Sequence, residues 1–426
     1  MGSVNDLLRG VTLPDMALVR QHFPDWSLPD PAAELAHGLE RTDIRGLVRP
    51  GMTVAVTAGS RGLDAYVPLL RQLIASLKGM GAEPFVVPAM GSHGGATAEG
   101  QRALLAGYGV TEETVGAPIR SSMEVVRIAA TPAGEPVWMD ALAAQADGIV
   151  LFNRVKPHTG FRGRYESGLL KMAAVGLGKQ KGAETVHAGG PPAMAQRIET
   201  FGTLAIEHAP ILFGVATVEN AFDRVCAVRA LTVREIFHRE PQLLEQAKAL
   251  LPRLFFEDLD VLVVDRIGKN ISGPGMDPNI THTYLPGAPI PQAMRDKRAR
   301  RVAVLDLTEE THGAAMGIGM ADVTTRRLLE KMDPESTYPN CLTSGVTASG
   351  KLPMAFDSHR LAIQAAVRTL SAVDGTGMRM VRIRDTLHLG EIWISAALLP
   401  QAREHPDVEL LAPPAPMAFD DRGDLF

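Results

Sequence analysis

The sequence predicts an α/β protein of two domains, with mostly parallel sheets and an active-site cleft between the domains. Three observations point there. The order strand, glycine-bearing loop, helix, strand recurs, and it favours a layered α/β fold over a β-sandwich. Polar loops follow the apolar runs directly, which is where open parallel sheets bind ligands. The chain of 426 residues is 46% hydrophobic, enough for two substantial cores.

After an irregular opening, Met52 to Val56 reads as a buried strand leaving through "TAGSRGLD". Tyr66 to Lys78 supplies a helix, and Ala82 to Pro88 a second strand before "AMGSHGGAT". Asp147 to Phe152 is another short apolar strand. "APILFGVATVEN" and "LDVLVVDRIGKN" repeat the pattern, with Leu250 to Leu259 as the junction between them. This divides the chain into a catalytic, cofactor-binding domain at 1–255 and a substrate-cleft domain at 256–426. The second holds the runs beginning at Val302, Met378 and Glu391, and "PPAPMAFDDRGDLF" closes it as a surface tail or strap. Between Arg234 and Lys248, charges lie amid leucines at helical spacing, which reads as an amphipathic, solvated helix without chemistry.

Composition removes several function classes. With 43 Lys and Arg against 48 Asp and Glu, the formal charge of -5 leaves no nucleic-acid footprint, although a local basic pocket can still hold a carboxylate or phosphate. Cys226 and Cys341 are too few for a disulfide framework or a thiolate metal site, so a reducing compartment is expected. No stretch reads as a signal peptide or a membrane span, and the expectation is a soluble cytoplasmic protein with no membrane partner. Oligomeric state is left open.

The polar residues gather in "KPHTGFRGRYESGLLKMAAVGLGKQKGAETVH", Lys156 to His187. Its glycines permit tight turns and close backbone approach to a ligand. Arg162 and Arg164 can face an anion, and Leu169, Leu170 and Met172 hold Lys171 against the protein, where an amine becomes more reactive. On the residues alone, His158 and His187 suit structural hydrogen bonding as well as catalysis or metal binding. Ser60, Arg61 and Gly62 offer backbone amides and a guanidinium to a phosphate, or simply turn the chain. Arg382, Arg384, Asp385 and His388 can form a basic pocket wall for a larger acidic substrate, but read first as the solvent face beside a strand.

This stretch resembles the core of the nickel-pincer lactate racemase family and its wider racemase-like homologues. The resemblance implies that His93 in "GSHGG" and His158 in "KPHTG" are paired proton-transfer histidines, that Lys171 links covalently to the cofactor, and that His187 binds nickel. The implied cofactor is nickel with pyridinium-3-thioamide-5-thiocarboxylic acid mononucleotide, its phosphate at Ser60, Arg61 and Gly62. The sequence departs from the family at that loop, where "SRG" lacks the family's histidine and proline. It also carries three extra residues between His158 and Lys171 and lacks a clear match to the glutamine and lysine that hold lactate. Lys269 is the candidate substrate contact, with Asn270, Asp277 and Asn279 shaping its loop. The implied function is racemisation or epimerisation of a 2-hydroxy acid or related sugar acid through reversible hydride transfer. Its partners would be a small carboxylate substrate and the cofactor-biosynthesis proteins. Two other classes stay open: a zinc-dependent hydrolase or lyase, and a noncatalytic nucleotide-cofactor-binding or sensing protein.

Overall fold

The apolar runs read as strands are strands in the computed structural model, which describes residues 3–370 and 374–426. The chain divides into two units, Pro24–Leu251 and Met1–Phe23 with Pro252–Phe426. Hence β1 (Met16–Gln21) comes first in the chain but pairs with strands from the far end.

The unit Pro24–Leu251 holds β2 (Thr53–Ala58), β3 (Glu83–Pro88), β4 (Val125–Ala130), β5 (Pro136–Asp140), β6 (Gly148–Arg154), β7 (Ile211–Glu219) and β8 (Val225–Thr232). Five form a sheet in the order β3-β2-β6-β7-β8, parallel except for the last pair, while β4 and β5 make a separate antiparallel pair. The strands read as unbroken apolar runs because both faces are covered. Val54, Val56, Val150 and Phe152 point to the face packed by the helix Tyr66–Gly79; Ala55, Ile149 and Leu151 point to the other, against the helices Gly190–His208 and Val233–Leu250. The last of these begins with a reciprocal capping box between Thr232 and Glu235.

The other unit holds β9 (Val261–Ile267), β10 (Arg301–Leu307), β11 (Val323–Thr325), β12 (Met354–Phe356), β13 (Met380–Ile383), β14 (Glu391–Ser395) and β15 (Val408–Ala415). With β1 they form one sheet, β12-β11-β10-β9-β13-β14-β1-β15, whose first five members are parallel. Met16–Gln21 therefore belongs to this sheet, whereas the sequence reading placed it in the first domain. Ala17 and Val19 are fully buried in its core, but a six-residue strand carries no local mark of a partner found nearly 400 residues later. The closing segment straps this unit: Asp424 pairs with Arg327, and Leu425 donates its backbone N–H to His359 Nδ1 at 3.1 Å. Among the described residues, no helix is long and apolar enough to cross a membrane.

Candidate active site

Parallel β3, β2 and β6 all end on one edge of their sheet, and the segments leaving them carry His93, Ser60 with Arg61, and His158. The chain runs from β2 to β3 on one side and later returns to place β6 on the other. The space between β2 and β6 is thus a switch point, where such sheets open a crevice for ligands.

His93 Nδ1 lies 2.5 Å from Ser60 Oγ. Its loop is anchored from below: buried Gln101 donates to the carbonyls of Gly91 (2.9 Å) and His93 (3.2 Å). Fully buried Lys179 in turn donates to Gln101 Oε1 at 3.2 Å and pairs with Asp140 at 3.0 Å. Gly94, at φ 66°, lies where a Cβ would come within 2.6 Å of the Gly100–Gln101 backbone. Around Ser60, Tyr66 and Tyr108 donate their hydroxyls to the carbonyls of Gly59 (3.1 Å) and Ser60 (3.3 Å).

His158 is fixed on both sides. Its backbone N–H donates to buried Glu166 at 2.7 Å, and its Nδ1 accepts the N–H of Gly160 at 3.0 Å. The ring stacks on Phe161 with centroids 4.3 Å apart. An Nδ1 that accepts leaves the neutral ring with its proton on Nε2. Burial, then Lys171, His187, Lys156 and Arg162, hold His158 well below the usual imidazole range. Those Coulombic partners define the cluster: His158, Lys171 and His187 act on one another, and Arg61 acts on Lys171.

Lys171 ends a short helix, Leu169–Lys171, that runs straight into a π-helical turn over Met172–Gly176, a geometry often found at functional sites. Burial, with the cations Arg61 and Lys156, pushes its amine down to about 7 against a weaker pull from Glu166. His187 closes the helix Lys179–His187, and its Nδ1 donates to the Ala183 carbonyl at 2.6 Å. Burial also lowers its pKa, and the neutral ring therefore presents a bare lone pair at Nε2. Arg61 and His187 are exposed by area, yet the surrounding protein lowers the pKa of both.

The sequence reading overlooked Glu240. It lies in the helix taken as merely solvated, but it is buried, and its carboxylate accepts the N–H of Leu170 at 3.1 Å, at the start of the lysine-bearing helix. A Cβ on Gly168 would meet Glu240 Oε1 at 2.1 Å, so the approach requires glycine there. Helical spacing held the signal, since residue 240 falls on the face of Ile236, Leu243, Leu244 and Ala247. Burial raises the Glu240 carboxyl to about 8, opposed by the Leu170 and Leu169 amides. A raised carboxyl favours folding below its unfolded value of 4.5, and this contribution is lost as pH rises through 8. Glu240→Gln is expected to match the parent near pH 4.5 and to exceed it by about 5 kcal/mol above pH 8, read by urea unfolding across that range.

Lys269 lies in the other unit, where its backbone N–H donates to Thr311 at 2.9 Å. Asp277 accepts the Asn279 N–H at 2.8 Å and closes the turn expected of it. Among the described residues, no three His, Cys, Asp or Glu side chains converge as a metal cage.

Residues 32–189, a span that includes His93, His158, Lys171 and His187, match the family model described as the lactate racemase N-terminal domain. The lactate racemase apoprotein from Thermoanaerobacterium thermosaccharolyticum is similar in structure, with a TM-score of 0.54 at 13% identity over 87% of this chain and 98% of that one. A structural-genomics protein from Thermotoga maritima reaches 0.47 at 15% identity, over 65% and 71% of the two chains. No curated protein matches the sequence. The structural likeness is one of α/β fold. Over residues 32–189 the chain is similar to a lactate racemase N-terminal domain, and its fold is similar to that of the lactate racemase apoprotein.

Proposed function

We propose that this protein is a racemase or epimerase that inverts a 2-hydroxy acid or a related sugar acid, using nickel and a pyridinium-type mononucleotide held at the edge of the β2–β6 sheet. The observation that carries the reading is Lys171, an amine lowered to about 7 within electrostatic reach of His158 and His187. A partly neutral amine is a nucleophile, as a covalent anchor requires. The residues fit the group. Lys171 would hold its ring, Arg61 and the Ser60–Gly62 amides would meet its phosphate, and Lys156 adds positive charge beside them. His187 would offer Nε2 to nickel while Ala183 fixes its tautomer. When bound, such a group supplies a reversible hydride acceptor.

The chain's own part is to handle protons. His93, supported at Nδ1 by Ser60, would exchange the hydroxyl proton on one side of the substrate carbon, and His158 on the other. His158 starts as an Nε2–H donor to the substrate oxygen, and proton transfer at that atom requires Gly160 to release Nδ1.

The test is to express the chain with the cofactor-making proteins and incubate the loaded enzyme with each enantiomer of a hydroxy-acid panel. Formation of the opposite enantiomer or an epimer is expected. Unchanged stereochemistry across a broad panel, with cofactor and nickel verified on the protein, overturns the reading.

A further inference from the structure

The second sheet repeats the topology that places the candidate site in the first. From β9 the chain adds β10, β11 and β12 on one side, then returns to set β13 on the other, so a switch point lies between β9 and β13. Arg266 stands near the end of β9, and Asp385 follows β13 by two residues. They meet there, with Arg266 Nε 3.1 Å from Asp385 Oδ2.

Asp385 is fully buried and organises what surrounds it. Its Oδ1 accepts the N–H groups of Leu387 (3.0 Å) and His388 (3.1 Å) and lies 2.6 Å from His388 Nδ1. Arg384 stands 3.9 Å from Oδ2. The neighbouring 268–277 loop is tied to the same turn, because Asp277 donates its N–H to Thr386 Oγ1 at 3.0 Å. The side chains of Arg384 and His388 remain 56% and 52% exposed, and that of Arg266 35%. One carboxylate is thus surrounded by two guanidiniums and an imidazole, with cationic donors left over. A neutral His388 that donates from Nδ1 to Asp385 turns an acceptor lone pair at Nε2 to solvent.

We propose that this strand edge recognises a 2-hydroxy carboxylate, with the carboxylate on Arg266 and Arg384 and the hydroxyl donating to His388 Nε2. The arginine forks suit the planar anion, and the imidazole supplies the acceptor that an adjacent hydroxyl needs. The preference for a hydroxy acid over a plain carboxylate rests on the proposed function; the anion site itself stands on this unit's own geometry. A turn that merely caps itself would also need Asp385, but it would leave His388 indifferent to anions.

The test labels the full-length chain with diethyl pyrocarbonate and follows His388 by peptide mass mapping. Sodium tartrate, held at ten times its Kd, is expected to slow labelling about tenfold, succinate less, and sodium chloride at matched ionic strength not at all. Arg266→Gln is expected to keep His388 reactive while losing tartrate protection, with circular dichroism verifying the fold. Arg384→Gln, at a more exposed position, provides the same comparison if the first variant is unfolded. Equal effects of tartrate and chloride, or protection undiminished in a folded variant, overturn the proposal. Because this readout needs no cofactor, its failure is separate from a failure to load Lys171.

Discussion

Lys171→Met is expected to abolish covalent loading and, at the same time, to stabilise the fold. Both effects follow from one amine. A lysine at its ordinary 10.5 is neutral in roughly 1 of 3,000 molecules at pH 7, whereas one lowered to about 7 is neutral in about half. That is the gain in nucleophile that burial and Arg61 provide. The same burial costs stability: the folded state favours the neutral amine, so its contribution is intact above 10.5, declines as pH falls, and is fully lost below about 7. Methionine carries no such charge. The variant should exceed the parent by about 5 kcal/mol at pH 6, with the excess shrinking toward zero as pH approaches 10.5. Intact mass after expression with the cofactor-making proteins reads the first effect, and urea unfolding across pH reads the second. Arg61→Ala should act in the opposite sense on reactivity, raising the Lys171 pKa and slowing its acylation at pH 7 in the unloaded protein. A stability excess that does not vary with pH would mean that Lys171 is an ordinary solvated lysine.

The sequence made the strands visible because the central strands of both sheets bury both faces. Runs such as Val261–Ile267 and Gly148–Arg154 are continuous apolar segments that end in polar loops, and chain order alone brings three such loops to one edge. The spacing of His158, Lys171 and His187 was equally visible, but not what each ring nitrogen bonds. That depends on Gly160 and Ala183, whose backbone groups leave no mark in composition. Supports from distant segments were hidden for a related reason. Glu240 is 69 residues from Lys171, and a charged residue on a helix suggests solvent until its place on the apolar face is noticed. Lys179 is similar: lysine is rarely fully buried, and only the fold brings Asp140, Gln101 and the Pro88 carbonyl around it. Arg382 and Asp385, taken as a solvent face, are instead tied into ion pairs, Arg382 with Asp265 at 2.8 Å and Asp385 with Arg266.

Replacing either His93 or His158 should cost inversion about 10²- to 10⁴-fold in turnover, and the two losses should differ in kind. If each imidazole serves one side of the substrate carbon, an Ala variant at His93 blocks the forward half-reaction for one enantiomer only, and one at His158 blocks it for the other. Full inversion fails in both variants, because the returning proton must come from the missing ring. Rapid quench of loaded enzyme, measuring 2-keto acid formed from each enantiomer, separates these outcomes. The unlike anchoring of the rings adds a second expectation. His93 leans on Ser60, a hydroxyl able to donate or accept, so its Nδ1 adapts to either protonation state. His158 receives a backbone N–H, which can only donate, and its ring cannot gain a proton at Nδ1 without losing that bond. The half-reaction that depends on His158 should therefore be the slower of the two in the parent enzyme, and it should respond to changes in the Thr159–Gly160 turn while the His93 half-reaction does not. Two variants that fail with the same enantiomer would place both histidines on one side of the carbon and end the two-sided scheme.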